Sequence, residues 1–162
     1  MYDIVRLFHI IAGIWVGGSY IFMVPILENK LRRLGPAFQG PVMQALIPIL
    51  TPVNALSFIV LLGTGFAMTV MLRGGTLNGL LTTGWGWDML IGIIFTVGAM
   101  VVGFGMLMPT GIKMDKIGKG AAAAGRPPTE AEGAQLGKLS EKVHKLSQIN
   151  FVFIMIATVT MV

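Results

Sequence analysis

Between Leu7 and Leu27 the chain carries no Asp, Glu, Lys or Arg, and three further strongly apolar stretches follow. They are Val53 to Leu72, Trp87 to Met108 and a shorter run from Ile149 to Val162. A helix needs about 20 apolar residues to cross the hydrocarbon core of a bilayer. In lipid every backbone N–H and C=O must be satisfied internally, which leaves helices or closed barrels as spanning structures. The first three runs meet that length, the third with Asp88 at its start. The fourth has 14 residues, or 17 counted from Leu146, so it crosses a thinned region or the natural chain runs on beyond Val162. Composition agrees: 12% of residues are charged, against roughly 25% in a soluble domain. The expected fold is therefore all-α, a single integral membrane bundle over residues 1–162 with four transmembrane helices at about 7–27, 53–72, 87–108 and 146–162.

The first run is not a cleaved signal peptide, because it is longer than a typical h-region and no small-residue cleavage site follows it. VPIL followed by ENKLRR reads as a stop-transfer pattern. Cysteine is absent, which removes disulfides, thiolate metal sites, cysteine nucleophiles and c-type haem attachment. The net charge of +5 resembles a nucleic-acid signature, but in a membrane chain the loop cations set topology, so no nucleic-acid partner is expected. Lys30, Arg32 and Arg33 follow the first span. Lys113, Lys116, Lys119, Arg126, Lys138, Lys142 and Lys145 follow the third. Arg6 and Arg73 are the remaining two of the twelve. Four spans place loops one and three on one side, and the positive-inside rule makes that side cytoplasmic, with both termini outside.

Three segments lie beside the membrane. Val42 to Leu50 contains Pro48 and precedes Pro52; proline disfavours helix at the residue before it, so a short interfacial helix and a break are expected before span two. Residues 109–130, including GAAAAGRPP, read as a cytoplasmic linker. Thr129 and Glu132 then form a capping box. Leu136, Leu139, Val143 and Leu146 fall on one helical face, which predicts an amphipathic extension continuous with span four. Trp85 and Trp87 read as an interfacial aromatic belt.

Candidates for chemistry are few. His9, Gly13, Gly17 and Tyr20 share one face of the first helix. An ionisable group inside a span faces the bundle or a cavity, and a neutral imidazole suits haem iron or copper. Gly13 and Gly17 beside it would let a flat porphyrin lie against the helix. The competing reading is a small-xxx-small packing face, with His9 bonded to headgroups, water or Asp88; that carboxylate would then fix the imidazole tautomer. Asp88 alternatively complements a helix dipole. Ala99 and Gly103 make a second small pair for helix packing. His144 cannot share an iron with His9, since most of a roughly 30 Å core separates them, and its charged neighbours suggest a solvated helix face. Met68, Met71 and Met89 are the outer-level candidates for a sixth ligand. Asn54, Ser57, Gln148 and Asn150 suggest interhelical hydrogen bonds. Lys113, Lys116 and Lys119 fit topology and attraction to anionic lipid. No hydrolase elbow, P-loop, zinc motif or carboxylate pair is present.

HIIAGIWVGG with VPIL, RRLGPAFQGPVMQAL and GRPPTEAE resembles a group of small four-helix bacterial membrane proteins near the copper-resistance D family. The likeness covers most of the chain and is densest around His9, Gly13, Trp15, Gly17 and Leu34-Gly35-Pro36. A shorter echo, His then Trp then Gly in a first span, is similar to the membrane protoporphyrinogen oxidase family and to the membrane part of some urate oxidases. The resemblance implies a bacterial inner (plasma) membrane location and a b-type haem on His9. It supplies no second haem ligand and no catalytic lysine, so no catalytic activity is expected. Two functions stay open: a haem b protein (or, with less behind it, a copper protein) using His9 in electron transfer or metal handling, and an accessory subunit packing through glycine faces. The expected partners are the lipid bilayer and either other membrane subunits or further copies of the chain.

Overall fold

The computed structural model describes residues 1–72 and 80–160, so Arg73, Met161 and Val162 lie outside the described residues. α1 (Tyr2–Ile21), a π-helical turn (Phe22–Glu28) and α2 (Asn29–Leu34) form one rod. α3 spans Pro36–Leu72. A 3-10 turn (Leu80–Thr82) leads into α4 (Gly84–Met100), a second π-helical turn (Val101–Leu107) and α5 (Met108–Ala123). α6 spans Glu130–Thr160. The chain thus has four helices long and apolar enough to cross a membrane, as the sequence predicts.

Two expectations are corrected. The break before span two is absent: α3 runs unbroken through Pro48 and Pro52. Both prolines are exposed on the outside of the helix. Proline's fixed φ is helical; what it removes is one backbone bond, and its ring presses on the carbonyl one turn earlier in the same helix, a cost that membrane-spanning helices tolerate through local backbone adjustment. The linker over 109–130 is also shorter than expected, since α5 stays helical to Ala123. Its alanines are the strongest helix formers. The reversal falls at Gly125, φ +62°, and Pro127-Pro128 follow. Gly35, φ +88°, makes the other tight reversal, between α2 and α3.

The capping box forms as read: Glu132 N–H donates to Thr129 Oγ1 at 3.3 Å and Thr129 N–H donates to Glu132 Oε2 at 2.7 Å. Arg126 grips the same carboxylate at 2.7 Å. Arg126 first, with the Thr129 bonds, pulls the Glu132 carboxyl down to about 2. α6 is continuous, and it turns Leu136, Leu139, Val143 and Leu146 away from its exposed side.

α1 packs antiparallel on α3, α4 packs antiparallel on α6, and α6 also lies along α1. The shared core is Ala12 and Val16 from α1, Phe58 and Leu61 from α3, Ala99 from α4 and Ile154 from α6. Two edge-on aromatic pairs stitch it: Phe58 on Phe104 with centroids 6.3 Å apart, and Phe95 on Phe153 at 5.3 Å. Large apolar side chains such as Ile14, Ile59, Phe66 and Val159 point outward. In water that surface would drive aggregation; in a bilayer it meets acyl chains.

Candidate functional site

The glycine face of α1 is occupied by the bundle itself. A Cβ on Gly13 would sit 3.7 Å from Leu61 of α3, and one on Gly17 would sit 3.6 Å from Thr158 of α6. Ala99 is fully buried, and a Cβ on Gly103 would sit 3.6 Å from Asn150 Nδ2. All four small residues therefore lie where another helix comes close.

His9 sits against α3 rather than Asp88. Its Nδ1 lies 2.9 Å from Thr64 Oγ1. The Thr64 hydroxyl donates to Val60 C=O at 2.5 Å. A hydroxyl has one proton; with that proton on Val60 C=O, Thr64 would accept from a His9 Nδ1–H and leave Nε2 its lone pair. Gly65 gives the ring its seat: a Cβ there would come within 3.3 Å of Cε1. Asp88 is exposed, and its neighbour Met89 takes the Thr69 hydroxyl at 2.8 Å. Thr69 is five residues beyond Thr64 on α3, about 7 Å at 1.5 Å per residue. Asp88 thus belongs to the next turn along. Thr64 and Gly65 were invisible in the sequence because only the α1–α3 register brings them under His9.

Below His9 the bundle carries polar pairs. Trp15 Nε1 donates to Asn54 Oδ1 at 3.0 Å and Ser19 Oγ donates to the same atom at 3.3 Å. Asn150, with no exposed surface, donates to Tyr20 Oη at 2.8 Å. Its Oδ1 is buried without a partner among the described residues. The interhelical role expected of Asn54 and Asn150 is what the structure contains.

The far end of the α1–α2 rod holds a polar cluster that ties it to α6. Glu28, at the close of the π-helical turn, faces His144 Nδ1 at 2.7 Å and accepts from Ser147 Oγ at 2.8 Å. Its side chain is 13% exposed. Arg32 pairs with Glu141 one turn further out, at 2.8 Å. His144 is therefore clamped to α1, correcting its reading as part of a solvated face. Pro25 inside the turn removes a backbone donor, and π-bulges arise at such positions. Asn29 Nδ2 donates to the Pro25 C=O at 2.9 Å. These contacts also put the ends of loops one and three at the same end of the bundle.

A haem lying on Gly13 and Gly17 does not fit this packing, because Leu61 and Thr158 fill that face. No group of three or more His, Cys, Asp or Glu converges on a metal position among the described residues. His144 is no partner for His9: Glu28 and His9 are 19 residues apart on the same rod, about 28 Å. No family model, curated protein or solved structure matches the chain. The architecture alone sets the class: a multi-pass helical membrane protein.

Proposed function

We propose that the chain is a non-catalytic accessory subunit of a larger membrane complex. The supporting observation is how its glycines divide. Gly13, Gly17, Gly98 and Gly103 close the bundle's own interfaces, whereas Gly18, Gly63 and Gly105 open onto empty space. Glycine weakens a helix interior by roughly 0.5–1 kcal/mol relative to Ala, and in lipid its use is close approach of another helix. Outward glycines on three rods suit docking against neighbouring membrane helices, from other subunits or from further copies. In this reading loops one and three face the cytoplasm, both termini lie outside, and the membrane is the bacterial inner membrane. The test is extraction in mild detergent with and without Gly63→Leu. A complex of wild type that Gly63→Leu dissolves, while the monomer stays helical, supports the proposal. A wild-type chain that migrates as a bare monomer would falsify it.

One observation favours a second reading. His9 Nδ1 lies against the Thr64 hydroxyl, an arrangement that suits the tautomer with Nε2 free, the form in which histidine ligates metals. A haem or copper bound there would use Nε2 alone, away from the glycine face, and would supply electron transfer. A Soret band or copper spectrum lost in His9→Ala supports it; a colourless, metal-free protein from haem- and copper-replete cells rules it out.

A further inference from the structure

The outward face of α6 carries Lys138, Lys142 and Lys145, spaced so that they stack on one side of the helix. All three are exposed, and no acid pairs with them among the described residues. With Gly137, Glu141 and Leu146 they line one open face of α6. One acid sits among them, Glu141, and Arg32 of α2 takes it at 2.8 Å from across the bundle. Arg32 holds that carboxyl below its usual range. On α5 Lys119 is paired with Asp115, at 2.6 Å, which leaves Lys113 and Lys116 as exposed lysines without an ion pair among the described residues. The α6 stack also has a defined height. The buried, apolar part of α6 begins at Leu146, directly below Lys145. Lys138 stands seven residues above Lys145, about 10 Å, and a headgroup layer is roughly 5–8 Å deep. The stack therefore runs through the headgroups and just beyond.

We propose that this lysine face is a binding site for an anionic phospholipid headgroup of the adjoining leaflet, kept cationic by the Arg32–Glu141 bridge. The site rests on the membrane-spanning fold and is independent of whether the chain docks in a complex. A lysine near an anionic surface contributes on the order of fivefold in affinity. The test uses the full chain, released from bilayer discs of equimolar phosphatidylcholine and phosphatidylglycerol and weighed with its retained lipids. Phosphatidylglycerol adducts should dominate several-fold. The triple variant K138Q/K142Q/K145Q should lose that preference, and K113Q/K116Q/K119Q should keep it. Arg32→Gln, which touches no lysine, should weaken the preference by releasing Glu141, and adding Glu141→Gln should restore it. Circular dichroism of each variant checks that the helices persist. Equal retention of the two lipids overturns the proposal, as does loss of preference in the α5 triple alone. Capture of soluble polyglutamate without any preference for phosphatidylglycerol would assign the face to an acidic protein and overturn it equally.

Discussion

The two histidines occupy opposite ends of one bundle and meet opposite chemistry. His9 faces a threonine hydroxyl that is itself tied to its own helix backbone. His144 faces a carboxylate that also takes a serine proton. The first arrangement is neutral and suits a site within the apolar layer, where an isolated charge is expensive. The second lies next to lysines and arginines, and it joins α1 to α6 through a charged group. Position along the rod thus decides which partner a histidine can have.

The largest effect on that comparison is expected from Glu28→Ala. It strands His144 and Ser147 together, and losing hydrogen bonds to a part-buried carboxylate costs about 2 kcal/mol. The thermal midpoint in detergent should fall by several degrees, and Glu28→Gln, which keeps an acceptor for Ser147, should fall less. Thr64→Val at the other end should cost about 1 kcal/mol, in the range of interhelical hydrogen bonds in membranes. Its clearer readout is nitrogen NMR of His9: loss of the single Nδ1–H form is expected, and an unchanged tautomer would mean that Thr64 does not set it. Asn150→Leu, between the two, should change stability by less than about 1 kcal/mol, because the removed bond is offset by the loss of an unpartnered Oδ1. A large loss there would mean that the amide has a further partner. Smallest is an acid effect at the head of α6. The Glu132 carboxyl is depressed in the folded chain, so its contribution is present above the unfolded carboxylate value and is lost as pH falls through about 2. The protection of amides in the first turn of α6, taken against the intrinsic exchange rate at each pH, should fall between pH 4 and pH 2 (the carboxylate range) and stay constant above it.

Much of the framework was readable from residue order because each part rests on local pattern. The apolar runs, the Thr129–Glu132 box and the Leu136-to-Leu146 stripe all depend on neighbours within a few turns. Gly13 and Gly17 were readable as a packing face by spacing, but the same spacing allowed a porphyrin, and only the approach of Leu61 and Thr158 decides between them. The Glu28–His144 contact spans 116 positions and depends on a π-helical turn that shifts the backbone register by one residue. No periodicity announces that. The prolines in α3 misled for the opposite reason: the local preference is real, and the helix continues through it.

The α4–α5 rod is 40 residues long, about 60 Å, roughly twice the thickness of the hydrocarbon layer. With the first half of α6 it makes a mast, and the turn at Gly125 is its masthead. Anything fixed there, an epitope or a protease recognition sequence, stands clear of the headgroups by about 20 Å. Intact cells would expose or hide it according to which compartment the mast rises into, so a single cleavage experiment at that turn reads the orientation of all four spans.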